Sequence, residues 1–339
     1  MGQLVVRLRY LAGRARRLSP ANLSEFTTQV KRVSAAPTPV IIADMMWCAL
    51  RYDMGFRDYA VWDIRTLKAR ERKTWMTHPK SYRITKLRNS PDARALVEDK
   101  PRFYRDFAED IRREWVDLRT AQTAEISAFL KRHEHVIAKP AEGFGGAGID
   151  RIATAEIVDL GAWRARQLER DQTLIEEVLP QHPELAALYP GSVNTVRLVT
   201  YLDEAGAFHV IAGVLRIGNG GVIDNFAGGG MFTMLDEGGV ALYPGVDKRS
   251  NVFDRHPITG VPIAGLVVPM YAEAVAMAER LSRRLPQIPY LGWDIAITPD
   301  GPAVIEANHN SSVFQMKPTV SGVRTGLLSR YREATGLDL

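Results

Sequence analysis

Gly292-Trp293-Asp294-Ile295-Ala296-Ile297, followed after Thr298-Pro299-Asp300-Gly301-Pro302 by Val304-Ile305-Glu306-Ala307-Asn308, is the stretch that decides the fold. Two apolar runs flank a Pro-Asp-Gly turn, which predicts a β-hairpin. Alternation puts Asp294 and Ala296 on one strand face and Trp293, Ile295 and Ile297 on the other. Glu306 and Asn308, two apart, share a face of the second strand. Three oxygen donors converging there suit a hard divalent ion such as Mg²⁺ that also holds phosphates. A metal site this near the C-terminus implies a nucleotide-binding region upstream.

The composition sets the frame for that region. A chain of 339 residues with 46% hydrophobic content buries a large core, expected in two or three lobes. No run of 18 or more apolar residues occurs, so a transmembrane span is not expected. Arg7, Arg9, Arg14, Arg16 and Arg17 precede any acid, and no apolar signal core follows them, which argues against secretion. The single Cys48 excludes an internal disulfide framework and fits a reducing cytoplasm. The net charge of +5 is dispersed and accompanied by no nucleic-acid motif, so no nucleic-acid partner is expected. The basic N-terminus reads as a solvated helix face, with peripheral membrane contact as the alternative. Oligomeric state is left open.

Three regions follow from patterning. Residues 1–98 read as mainly helical, with Tyr52, Phe56, Tyr59, Trp62, Ile64 and Leu67 buried and His78-Pro79 ending that element. Residues 99–179 pass from a charged helix near Pro101–Glu114 to a strand at Val136–Lys139, a glycine cluster, and a strand from Thr173 to Leu179. Residues 190–335 are mostly strand and turn, with strands near Asn194–Leu202 and Phe208–Ile217 and an amphipathic helix over Val267–Leu285. Helices segregated from an antiparallel sheet indicate an α+β fold rather than repeated βαβ units.

Lys139-Pro140-Ala141-Glu142-Gly143-Phe144-Gly145-Gly146-Ala147-Gly148 places a lysine at a strand end before a glycine loop. Glycines let backbone N–H groups approach phosphate oxygens, and the lysine adds a charge. The loop follows neither the Walker nor the dinucleotide pattern. Glu176-Glu177-Val178-Leu179 ends a further strand, where carboxylate and backbone groups can read an adenine amino group and ribose hydroxyls. Asp224-Asn225 and Gly228-Gly229-Gly230 form a second loop region, read either as a hairpin turn or as a segment closing over substrate.

These elements together resemble the ATP-grasp superfamily, in its sugar-transfer-associated branch, over roughly residues 40–330. The stretches that carry the resemblance are Gln181–Leu185, Gly191–Leu198, Leu215–Gly218, Val222–Asn225, the glycines at 228–230 and His256–Gly260. The resemblance implies two α+β lobes clasping ATP, preceded by the helical region: a small lobe over 99–179 and a large lobe over 180–335. It implies ATP and Mg²⁺ as cofactors, Lys100 and Lys139 as nucleotide lysines, and Glu176, Glu177, Val178 and Leu179 as the adenine-side hinge. Glu142, Gly143, Phe144, Gly145 and Gly146 join them at the phosphates, and Asp294, Glu306 and Asn308 are the magnesium set. It further implies a ligase that activates a small-molecule or peptide carboxylate as an acyl phosphate and joins it to an amine. The setting expected is natural-product, peptide or surface-polysaccharide modification.

Lys139, Arg197 and Arg216 are the catalytic candidates: the lysine fixes nucleotide phosphates, and a guanidinium fork on either arginine binds a carboxylate or a tetrahedral oxyanion. The competing reading of both arginines is a buried ion pair. A small-molecule kinase and a non-catalytic nucleotide-binding partner are the alternative functions. After Asn308 the chain reads His309-Asn310-Ser311-Ser312, where related chains commonly place a Pro-Gly turn. His309 is not expected to be a metal ligand, and Lys248, Arg249 and His256 are candidates for contact with an anionic acceptor.

Overall fold

The computed structural model describes residues 20–142, 148–224 and 226–339. The N-terminal arginines, the loop residues Gly143 to Ala147 and Asn225 lie outside the described residues.

Two antiparallel sheets organise the chain. The smaller runs β1 (Trp115–Asp117), β4 (Leu174–Glu177), β2 (His135–Lys139) and β3 (Asp150–Ala153). The larger runs β11 (Gly301–Asn308), β10 (Tyr290–Thr298), β5 (Thr195–Leu202), β6 (Phe208–Ile217), β7 (Met231–Leu235), β8 (Gly245–Asp247) and β9 (Val252–Phe253). All their strand pairings are antiparallel, and the fold is α+β. Helices Thr123–Arg132 and Leu160–Glu169 contribute Ile126, Phe129 and Trp163 to the core under the small sheet, with Val136, Ala138 and Ile175.

The large sheet is covered differently on its two faces. Val196, Leu198, Leu291, Trp293, Ile295 and Ile297 share a core with helix Tyr271–Arg283, where the Trp293 indole N–H donates to Ser282 at 3.1 Å. Val199, Tyr201, Val214, Phe232 and Tyr290 instead share a core with Ile41, Met45, Tyr59, Trp62 and Trp75 from the N-terminal helices. Helices therefore occupy one whole face and part of the other. The polar stretch carrying Arg197, Asp294 and Glu306 remains as the floor of a cleft.

The hairpin has a tighter geometry than alternation alone predicts. Thr298 pairs with Gly301 across a two-residue turn, and the φ of +127° at Gly301 is open only to glycine without strain. Asp294 pairs with Glu306 and Ile295 with Val304, so Ile305 is an extra residue in a β-bulge. The bulge lets Ile305 and Glu306 both line the cleft, departing from strict alternation.

Other boundaries moved for identifiable reasons. His78-Pro79 opens helix His78–Arg88, because proline in a first turn sacrifices no helical hydrogen bond. Asp53, in a left-handed conformation, closes helix Thr38–Tyr52 before Gly55 starts the next helix. The expected charged helix near 101–114 is two short helices, Lys100–Asp106 and Ala108–Ile111, ended by left-handed Arg112. Tyr52, Tyr59, Trp62, Ile64 and Leu67 are buried, and Phe56 packs against their core while partly exposed.

Candidate functional site

The two sheets bound a cleft of about 660 Å³. Lys100, Lys139, Glu142 and the segment Glu176–Leu179 line it on one side, and Arg197, Arg216, Asp294, Glu306 and Asn308 on the other. Gly143, Phe144, Gly145 and Gly146 lie outside the described residues.

Asp294 is the hub of the large-sheet side because it is the central residue of three adjacent strands. Its Cα is in register with Arg197 on β5 and with Glu306 on β11. Arg197 grips it with both prongs, Nε to Oδ1 at 2.5 Å and Nη2 to Oδ2 at 2.6 Å. Arg216 on β6 donates to the same Oδ2 at 2.8 Å and reaches Asp224 at 3.0 Å. Asp224 in turn accepts the Thr195 N–H at 2.9 Å and the Thr195 hydroxyl. Both arginines are thus held in buried ion pairs, as the competing reading expected, and both also line the cleft.

The two facing carboxylates have opposite electrostatics. Burial opposes ionisation of Asp294, yet Arg197 and Arg216 overcome it and hold the group far below the usual carboxylate range. Burial and the charge of Asp294 push Glu306 upward, against a weaker pull from Lys100. Asn308 turns its amide N–H toward Glu306 at 3.3 Å and the Gly292 carbonyl at 3.4 Å.

Lys139 ends β2 and is buried. It pairs with Glu176 on β4 at 2.5 Å and donates to the Tyr104 hydroxyl at 2.7 Å. The Tyr104 hydroxyl in turn donates to Glu176 at 2.6 Å, and Arg113 completes the group at 2.9 Å from the same carboxylate. Burial would raise Glu176, but Arg113 and Lys139 bring it down to about 2. Its carboxylate is therefore engaged within the protein, leaving the strand end at Glu177, Val178 and Leu179 to face the cleft. Burial lowers Lys139, and it lowers Lys100 against the opposing charge of Glu306. Lys100 is the first residue of a helix capped by Asp99, whose side chain accepts the Arg102 N–H at 3.0 Å.

Other candidates stand elsewhere. His309 lines the cleft but pairs with Glu98 at 2.7 Å. His256 is buried against Tyr189, its Nε2 2.8 Å from the Gly218 carbonyl, and it does not line the cleft; nor do Lys248 and Arg249. Arg113 and Tyr104 were missed, because no local pattern marks an arginine after a short helix as inward-pointing.

Comparison with known proteins settles the family. The family model for sugar-transfer-associated ATP-grasp proteins matches residues 81–329. This chain belongs to the sugar-transfer-associated ATP-grasp family. The match lies within the span of roughly 40–330 over which the resemblance is read from the sequence. No curated protein matches the chain. Among solved structures, the ATP-grasp ligase PsnB complexed with a minimal precursor is 18% identical, with a TM-score of 0.39. That match covers 74% of this chain and 59% of PsnB, so this chain spans less than two thirds of that one. The D-cycloserine synthetase DcsG is 16% identical over 76% of each chain, with a TM-score of 0.41. A D-alanine–D-alanine ligase from Bacillus anthracis complexed with ATP is 10% identical, covering 71% of this chain and 67% of that one, with a TM-score of 0.43.

The residues of this ATP-grasp cleft fit Mg²⁺ and a nucleotide triphosphate by their chemistry. The described residues hold no cluster of three or more His, Cys, Asp and Glu side chains arranged for a metal. The set here is two carboxylates and an amide oxygen, which suits an ion that takes its remaining ligands from phosphates and water. The crowding that pushes Glu306 upward is what a cation beside it would relieve. Among the described residues, Lys139 commits two of its three donors to Glu176 and Tyr104, leaving a third for a phosphate oxygen. No helix of the described residues is long and apolar enough to cross a membrane.

Proposed function

We propose that this protein is an ADP-forming ligase that activates a carboxylate with ATP and joins it to an amine. The observation that carries the proposal is the opposition, across one cleft, of Lys100 and Lys139 to the Asp294, Glu306 and Asn308 oxygens, with Arg197 and Arg216 beside them. Mg²⁺ bound at Glu306, Asn308 and Asp294 would offset the charge of the transferring phosphoryl group. Lys100 and Lys139 hold the phosphates, and Glu177, Val178 and Leu179 offer their backbone to the base. A carboxylate oxygen attacks the γ-phosphorus, ADP leaves, and the amine nitrogen then displaces phosphate from the acyl carbon. Arg197 and Arg216 sit where negative charge accumulates in those steps, and Asp294 and Asp224 keep their guanidinium planes fixed.

Family membership, not the pocket's residues, is what supports a small-molecule or peptide carboxylate and a setting in natural-product, peptide or surface-polysaccharide modification. The test is ADP release from the full chain across paired pools of carboxylic acids and amines, with mass detection of product. ADP that appears only when both pools are present, with amide formed, supports ligation. A phosphorylated product from one acceptor alone would replace it with the kinase reading. Binding of Mg·ATP without any turnover across the pools would favour a non-catalytic partner.

A further inference from the structure

Arg113 has no part in the chemistry above, yet its guanidinium is where the two sides of the cleft meet. It follows Arg112, whose left-handed backbone (φ 49°) ends helix Ala108–Ile111 and turns the chain. Arg112 reaches the Asp300 carbonyl in the hairpin turn at 2.8 Å. Arg113 turns inward, its side chain only 1% exposed.

Each prong of the buried fork has a different job. Nε donates to Glu176 at 2.9 Å. Nη1 donates to the Val304 carbonyl at 3.0 Å and the Ile111 carbonyl at 3.1 Å. Nη2 donates to the Tyr104 hydroxyl and, at 3.4 Å, to the Ile305 carbonyl. Val304 precedes the bulge, and Ile305 is the extra residue in it, directly before Glu306. Glu176 and Tyr104 are the two partners of Lys139.

We propose that Arg113 is a positioning residue for both halves of the nucleotide site, setting Lys139 through Glu176 and Tyr104, and Glu306 through the bulge carbonyls. The inference rests on the reading of this cleft as a Mg·ATP site. A planar fork with five donors spans a carboxylate, a hydroxyl and three carbonyls at once, which a lysine ammonium does not. Residues behind a metal or phosphate ligand fix its orientation, and their loss is felt at the ligand.

The test is calorimetric titration of the full-length chain with Mg·ATP, and with ATP at varied Mg²⁺, on folded Arg113→Lys, Tyr104→Phe, Lys139→Met and the Tyr104→Phe/Lys139→Met double variant. Arg113→Lys and Tyr104→Phe should each weaken Mg·ATP binding by about 10–100-fold. The double variant should bind no more weakly than Lys139→Met alone, since Tyr104 acts through Lys139. Arg113→Lys should raise the Mg²⁺ concentration needed for half-maximal ATP binding, whereas Tyr104→Phe should leave it in place. Unchanged affinity in both single variants, additive losses in the double, or equal Mg²⁺ shifts in both would overturn the positioning role. If Arg113→Lys does not fold, Arg113→Gln takes its place in the same titrations, with the same expected and overturning results. Failure of the unaltered protein to bind Mg·ATP would overturn the nucleotide reading itself. Binding by the unaltered protein with unaffected variants would overturn only the role of Arg113.

Discussion

Asp294 and Glu306 face each other in register, and the structure treats them unequally. Two guanidiniums neutralise Asp294, while burial and that neighbouring charge push Glu306 upward. A raised acid contributes stability fully present below its unfolded value, near 4.5, and lost as pH rises through the folded value. Glu306→Gln should therefore raise the melting temperature of metal-free protein at neutral pH, the gap over the unaltered protein closing as pH falls toward 4.5. The same change should cut Mg-dependent ADP release by about 100-fold or more. Equal melting curves at pH 7.5 would show that the Asp294 charge does not strain Glu306, and undiminished ADP release would remove Glu306 from the metal set. Arg197→Lys should lower the rate of ADP release by about 10²–10³-fold and leave ATP affinity within a few-fold, because an ammonium cannot reproduce the two-pronged grip on Asp294. Steady-state rates alongside calorimetric ATP affinity separate the two effects. The residue types and their spacing made Asp294, Glu306, Asn308 and Lys139 legible in the sequence. Their partners were not, since the arginines on Asp294 lie 97 and 78 positions away along the chain.

At the scale of elements, one buried carboxylate adds a side-chain tie between two paired strands of the small sheet. Glu176 on β4 holds Lys139 on the neighbouring β2, and its low value near 2 makes the pair a source of stability present above about 4.5 and lost as pH falls toward 2. Glu176→Gln should destabilise the protein by about 3–5 kcal/mol at pH 7, since it leaves Arg113 and Lys139 buried and uncompensated. Denaturant titrations at pH 7 and pH 3 should show the deficit shrinking at the lower pH. In the hairpin, Gly301 at φ +127° also sits 3.2 Å, measured from an added Cβ, from the Arg112 guanidinium. Gly301→Ala should cost about 1–3 kcal/mol, measured by the same titration, and a neutral result would show that the turn relaxes easily. The strands at Phe208–Ile217 and in the hairpin were readable because apolar alternation and turn residues are local signals. The bulge at Ile305 was not readable, because an extra residue is defined by the partner strand and not by its own sequence.

The whole molecule ties the N-terminal helices to the large sheet through a single core. Trp75 and Trp62 pack with Val214, Phe232 and Tyr290, and Leu328, Tyr331 and Ala334 from the C-terminus join them. Trp75→Ala should lower stability by about 3–5 kcal/mol and shift the loss of helix and of tertiary signal together, followed by far- and near-ultraviolet circular dichroism. Two separated transitions would mean that the helices form an independent unit. The sequence by itself determined the α+β class, the hairpin, the lysine before the glycine loop and the family, because propensity, alternation and donor chemistry act over a few residues. Only the tertiary structure decided which charges neutralise which, that Glu176 serves Lys139, and that Arg113 spans both sides of the cleft. Those outcomes depend on burial, which strengthens some pairings and penalises unpaired charge, and burial is a property of the packed chain. The Asp294–Glu306 hairpin was visible as a pattern; its electrostatics came from strands and helices that the pattern does not contain.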